Sequence, residues 1–213
     1  MPGAPSYSAY PPGKPALVMG GDGRTVTFGE LESKADRGAQ ALRAEGFADG
    51  DVLAVCMDNR AEMFEVVCAA LRCGLTFVPI SSKLTAREAA FILRDSGAKG
   101  LVLSDGVEVT IDAIADHCPD LTLYRVGGDL PGARPWDRLC AERPATPVQD
   151  ARRGKAMLYS SGTTGRQKGI VHGGGEGVGD VITSSMRFVA RIGGGAHSTY
   201  LSTAPLYHAA PLG

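Results

Sequence analysis

Apolar residues change their spacing several times along this chain, and each change predicts an element. In "TVTFGELESKADRGAQALRAEG", Leu31, Ala35, Ala39 and Leu42 recur at helical intervals. Thr27 with Glu30 three residues on forms a capping box, and Gly46 closes the helix. The preceding "ALVMGGDGRTVTF" predicts two short strands around an Asp22–Gly23 turn. "DVLAVCM" is a continuous apolar run of strand length. Asn59 then stands where it can cap a helix carrying Phe64, Val67, Cys68 and Leu71, stopped by Gly74. "TFVPI" reads as a short strand. Thr85 and Glu88 make a second capping box, before a helix with Ala89, Ile92 and Leu93. "KGLVLS" is a strand, a helix follows near Val109–His117, and "LTLYRV" is a strand again.

Strands apolar on both faces, alternating with amphipathic helices, predict an α/β fold whose mostly parallel sheet is covered by helices on both sides. Residues 1–15 are rich in Pro, Gly, Ser and Tyr and are expected to form a surface arm. Residues 127–154 break the pattern as a loop-rich connection with a short helix around Trp136–Glu142, where Trp136 is read as packing. "KAMLYSS" and "KGIVH" predict strands on either side of a loop of small residues. A helix around Val178–Arg191 and a strand "STYLSTA" complete the expectations.

Composition narrows the function classes. Hydrophobic residues make up 44%, enough for a core. The 22 basic and 23 acidic residues leave a net charge of −1, which gives no electrostatic footprint for nucleic acid or an anionic membrane. No apolar run is long enough for a membrane span, and the N-terminus lacks a basic region followed by an apolar one. The 5 cysteines are scattered without a CxxC, so they are read as reduced thiols of a cytoplasmic protein, mostly filling core. Cys68 and Cys73 are too isolated from other ligand types to suggest a metal site.

The chemistry concentrates in "MLYSSGTTGRQKGI", Met157 to Ile170. Gly162 and Gly165 permit backbone conformations and close approaches closed to other residues. Successive N–H groups there can form an anion-binding nest. Ser160, Ser161, Thr163 and Thr164 add hydroxyl donors, and Lys168 adds a compact positive charge. A donor set of this kind suits polyphosphate. The Walker A pattern fails, because Gln167 precedes Lys168 and Gly169 follows it. The dinucleotide pattern fails in "GGGEGVG", which has Val178 and Asp180 where it does not fit. A plain Ser/Thr/Gly surface loop is the competing reading; an apolar strand leading in and a lysine beyond favour phosphate.

"YSSGTTGRQKG" resembles the phosphate loop of the adenylate-forming (AMP-binding) superfamily, in its acyl-CoA synthetase and acid–CoA ligase branch. The family pattern is approximately [YF]-[ST]-S-G-[ST]-T-G-x-P-K-G, and Gln167 replaces the usual proline. The upstream stretch from "PALVMGG" to "TFVPI", and "LTAREAAFILRDSGAKGLVLSD", resemble the family's opening region. "PLYHAAPLG" resembles its Pro-aromatic-His segment beside the carboxylate pocket. The resemblance implies a ligase that joins a carboxylic acid to ATP as an acyl-adenylate and then transfers the acyl group to a thiol, usually that of coenzyme A. It implies ATP, Mg²⁺ and coenzyme A as cofactor and cosubstrates. It places Ser160, Ser161, Gly162, Thr163, Thr164, Gly165 and Lys168 around the ATP phosphates, with Thr164 as a candidate Mg²⁺ contact, and His208 at the acyl pocket beside the adenylate. Lys168 as a solvated strand-edge lysine and His208 as a packed core histidine are the plain alternatives. Tyr207 is read as a pocket wall, His172 as support beside the loop, His117 and His197 as surface or turn residues, and Glu30 and Glu32 as caps and solvated faces.

Family members run to more than twice this length. The resemblance therefore implies that residues 1–213 form the N-terminal part of the large domain, with its C-terminal part and the small domain absent, so that this chain alone is inactive. Small residues at Ala209 and Ala210 leave room for a fatty or aromatic acid. A non-catalytic nucleotide- or partner-binding fragment, a folded remnant without ligand, and an adenylation module for amino acids remain as alternatives. A nicotinamide-dependent oxidoreductase has only the alternating strands in its favour.

Overall fold

The computed structural model describes residues 7, 10–107, 114, 116–149, 154–160, 167–172, 191, 194–195 and 197–208. A two-stranded antiparallel ribbon, β1 (Pro15–Val18) and β2 (Thr25–Thr27), leads directly into α1 (Phe28–Ala44). The helix starts where the sequence predicts: Thr27 accepts from the Glu30 N–H, and the Glu30 carboxylate accepts from the Thr27 N–H at 2.8 Å. The chain continues through β3 (Val52–Cys56), α2 (Ala61–Arg72), β4 (Thr76–Pro79), α3 (Ala86–Ser96) and β5 (Ala98–Ser104). Then come β6 (Thr122–Val126), β7 (Arg134–Pro135), α4 (Trp136–Ala141), β8 (Lys155–Ser160) and β9 (Lys168–His172). The second capping box, Thr85 with Glu88, also closes as expected. The helices predicted near residues 109–117 and 178–191 fall largely outside the described residues, within which Ile114 and Arg191 are helical.

β3 to β9 form one seven-stranded sheet in the order β7-β6-β5-β3-β4-β8-β9, parallel except for the β8–β9 pair. Counting from β3, the first five strands follow the doubly wound order, with its switch point between β3 and β5. Two buried clusters back the two faces. One gathers Leu42, Met63, Val66, Leu71 and Trp136 from α1, α2 and α4 against the sheet. The other gathers Ala89, Ile92 and Leu93 of α3 with Ile114 against alternate sheet residues. Alternation within each strand explains this: Leu53 and Val55 face the first cluster, Ala54 and Cys56 the second. Trp136, at 4% exposure, is a core residue that meets Tyr124 edge-on at 6.2 Å.

Three expectations need correction. Asn59 does not cap α2; Arg60 is the N-cap, with no side-chain cap bond, and the Asn59 amide is used elsewhere. Glu32 is no solvated face: it binds the buried Arg72 at 2.5 Å and accepts from the Tyr7 N–H at 2.8 Å. "STYLSTA" is not a strand, and Tyr200 and Leu201 are 73% and 80% exposed. Alternating residues alone do not make a strand without a neighbour to complete the ladder. The plain alternative for His208, a packed core histidine, does not hold, because the residue is exposed. The cysteines are all free, with Cys56, Cys68 and Cys73 buried.

Candidate functional site at the carboxyl edge of the sheet

The approach to the loop begins with a close contact. Gly154 N–H donates to Leu71 O at 3.0 Å, and Lys155 N–H to Leu75 O at 2.9 Å. A Cβ on Gly154 would stand 2.5 Å from Leu75 O and 2.6 Å from Leu71 Cα. Both are main-chain atoms, so glycine is what lets β8 come down beside β4. β8 pairs in parallel with β4 at only two positions, Thr76↔Lys155 and Phe77↔Ala156. From Met157 to Ser160 its ladder partner is β9 alone, down to the closing pair Ser160↔Lys168.

That register answers where the two ends of the Ser/Thr/Gly loop go. Ser160 and Lys168 face each other across the hairpin, with strands about 5 Å apart. Lys168 is exposed and makes no ion pair among the described residues. Ser161, Gly162, Thr163, Thr164 and Gly165 lie outside the described residues. An exposed lysine with no ion pair among the described residues, at the base of a glycine-rich loop, suits an anion such as the phosphates of ATP. Among the described residues no group of three His, Cys, Asp or Glu side chains is placed to hold a metal.

The hairpin is fastened by a residue to which the sequence reading gives no role. Tyr159 faces Gly169 in the ladder, and its ring covers that glycine. Its hydroxyl donates to Asp95 Oδ2 on α3 at 2.6 Å. Burial, and then the neighbouring Asp95 carboxylate, push the Tyr159 phenol well above its usual range, so it stays a donor. The aromatic position and the glycine of the motif were visible in sequence; the Asp95 partner, 64 residues upstream, was not.

The second part of the site is the segment with Tyr207 and His208. Leu206 is buried in the first core cluster. His208 N–H donates to Pro205 O at 3.1 Å, closing a turn that holds the Tyr207 and His208 rings 4.7 Å apart. This segment is attached to the loop after β3, through Asn59. β3, β4 and β8 run parallel as neighbours, so the end of β3 and the end of β8 lie on the same carboxyl edge of the sheet. The structure thus sets Lys168 and His208 on one edge. His172 ends β9 opposite Ala156, and His117 and His197 are exposed turn residues.

The switch point between β3 and β5 is itself occupied by protein. Ser104 donates to Asp58 Oδ1 at 2.5 Å and accepts from the Asp58 N–H at 3.3 Å. Arg60 bonds Asp105, and also Glu62 at 3.1 Å. Burial raises the Glu62 carboxyl, but hydrogen bonds from Arg24 and Arg60 outweigh it and hold it at about 2. These groups satisfy one another and leave Asn59 between two pinned neighbours.

The profile of the family described as AMP-binding enzyme matches residues 6–213. The chain is 31% identical over 174 residues to the fatty acid–[acyl-carrier-protein] ligase ScoC of Streptomyces coeruleorubidus, covering 78% of this chain and 31% of that protein. It is 34% identical over 149 residues to the long-chain-fatty-acid–CoA ligase FadD13 of Mycobacterium tuberculosis, covering 69% and 29%. The chain thus spans about a third of the length of these relatives. Among solved structures, the N-terminal domain of FACL13 from Mycobacterium tuberculosis superimposes with a TM-score of 0.77 at 28% identity, covering 94% of this chain and 50% of that one. Apo MatB from Rhodopseudomonas palustris gives 0.80 at 25% identity, covering 94% and 39%. No described helix is long and apolar enough to cross a membrane. On the match of its profile over nearly the whole chain, and of its fold, this chain belongs to the AMP-binding enzyme family, the adenylate-forming ligases.

Proposed function

We propose that residues 1–213 supply the phosphate loop and one wall of the acyl pocket of an AMP-forming carboxylic acid–thiol ligase. The observation that carries this reading is the shared carboxyl edge: the base of the Ser/Thr/Gly loop, closed by Ser160 and Lys168, lies on the same side of the sheet as Tyr207 and His208. Bound there, ATP would supply an electrophilic α-phosphorus and a pyrophosphate leaving group. Ser160, Ser161, Thr163, Thr164 and the N–H groups around Gly162 and Gly165 would donate to its phosphate oxygens, with Thr164 within the set that could also meet Mg²⁺. Lys168 would offset charge on the departing pyrophosphate, a preorganised donor of the kind that lowers such barriers. His208 and Tyr207 would border the carboxylate.

Fatty and aromatic acids are the substrates we favour, with coenzyme A as thiol. Support comes from the names of the relatives, which include a long-chain-fatty-acid–CoA ligase and a 3-hydroxybenzoate–CoA ligase from Aromatoleum. Surfactin synthase subunit 1 of Bacillus subtilis, 33% identical over 158 residues, favours amino acids as the second reading. The test is ATP–pyrophosphate exchange by the full-length gene product against a panel of fatty, aryl and amino acids. Exchange with the first two classes supports the proposal. Exchange with amino acids alone selects the second reading, and no acid-dependent exchange overturns both.

A further inference from the structure

The side-chain amide of Asn59 reaches 147 residues along the chain: its Oδ1 accepts from the Leu206 N–H at 2.8 Å. Its Nδ2 donates to Ala204 O at 3.3 Å. The two bonds straddle Pro205, whose ring fixes its own φ and which has no N–H to offer. We propose that Asn59 is a positioning residue for the acyl-pocket segment, setting the direction in which His208 and Tyr207 are presented. The inference rests on the reading of that segment as a wall of the carboxylate pocket.

Three observations support it beyond the bonds themselves. First, the amide is not needed locally, because α2 begins without a side-chain cap although Asn59 immediately precedes its N-cap. An asparagine there that leaves the helix uncapped has its donor and acceptor committed to another segment. Second, the anchor is rigid. Asp58 is tied to Ser104, and Arg60 to Glu62 and Asp105, so the residues on both sides of Asn59 are held by the end of β5 and the start of α2. Third, Leu206 is buried to 6% exposure while Tyr207 is half-buried and His208 exposed. The buried leucine fixes the depth of the segment. The Asn59 amide fixes the rotation of its backbone about that anchor, and the Pro205–His208 turn passes this on to the two rings. A planar amide that grips an N–H and a C=O on either side of one residue restrains orientation in a way that a single bond does not.

The test compares Asn59→Ala, Asn59→Asp and His208→Ala in the full-length gene product, with exchange kinetics and hydrogen–deuterium exchange over residues 200–208. Loss of one or two hydrogen bonds predicts that Asn59→Ala speeds exchange of the Leu206 amide about tenfold and raises the KM for the acid about tenfold. The KM for ATP should stay within about twofold, since a positioning effect on the acyl segment leaves the phosphate loop alone. Asn59→Asp keeps the acceptor for the Leu206 N–H and should fall between wild type and Asn59→Ala. An unchanged Leu206 exchange rate in Asn59→Ala overturns the clamp whatever the activity. Equal rises in both KM values overturn the positioning role and leave a structural one. If His208→Ala leaves the acid KM untouched, the acyl-pocket reading fails separately, and the amide exchange still decides whether Asn59 orders the segment.

Discussion

The ring of Tyr159 lies across Gly169, the residue opposite it in the β8–β9 ladder, so closely that a Cβ at Gly169 would stand 2.9 Å from Tyr159 Cζ. Gly154, at the other end of β8, is crowded by main-chain atoms at 2.5 and 2.6 Å. The two glycines therefore differ in what must yield. A half-buried ring can swing; the backbone between Leu71 and Leu75 cannot move without disturbing α2 and β4. Gly169→Ala should cost about 1 kcal/mol and Gly154→Ala about 3 kcal/mol, following the usual range for overpacking. Urea denaturation of the two variants checks the order, and a larger loss at Gly169 would contradict it.

Lys168 is predicted to matter for chemistry and little for folding. Its side chain is exposed, so Lys168→Ala should leave the denaturation midpoint close to wild type. The same substitution should lower acid-dependent ATP–pyrophosphate exchange about 100-fold, as loss of a preorganised donor does. Undiminished exchange would remove the lysine from the proposed site.

Arg72 joins α2 to α1. It donates to Asp36 Oδ1 at 2.7 Å and to Glu32 Oε2 at 2.5 Å, and its side chain is only 4% exposed. Arg72→Met leaves Asp36 buried without its cation, and breaking such a pair costs about 3–5 kcal/mol. Glu32→Gln keeps Asp36 as a charged partner and touches a more exposed site, so it should cost less. Thermal melts of both variants decide, and equal losses would show that Glu32 carries the interaction.

Acid should weaken the β3–α2 junction through Glu62. Its carboxyl is held at about 2 in the folded chain against the usual 4.5, so the unfolded chain takes up the proton first. The stability Glu62 contributes is complete above the unfolded value and disappears as pH falls from 4.5 toward 2. Wild type should therefore lose more stability than Glu62→Gln between about pH 5 and about pH 3. Urea midpoints at both values test this, and parallel slopes would place the acid sensitivity elsewhere.

The regular elements were legible because their signals are local. Thr27 with Glu30, and Thr85 with Glu88, lie within one helical turn, and both capping boxes form. The parallel sheet followed from runs such as Val52–Cys56 that are buried on both faces. What stayed hidden depends on partners distant in sequence. Asn59 reads as a cap until Leu206 is seen beside it, and Glu32 reads as solvated until Arg72 arrives 40 residues later. β7, two residues long, exists only because β6 offers it an edge. The candidate loop could be located from its residue types, but its attachment through Tyr159 and Asp95 needed the third dimension.

The short parallel contact between β4 and β8 has a mechanical consequence. Only Lys155 and Ala156 are joined to β4, and Pro79 ends that strand without an N–H to extend the ladder. The hairpin beyond is a supported beam: clamped at Gly154 and propped near its tip, the Ser160–Lys168 pair, by the Tyr159–Asp95 strut. A beam supported in this way owes the stiffness of its tip to the prop, while its root is rigid by itself. How firmly the Ser160–Lys168 pair is held then depends on one phenol and one carboxylate on a neighbouring helix, which makes that strut a place to stiffen or soften the hairpin without touching Ser160 or Lys168.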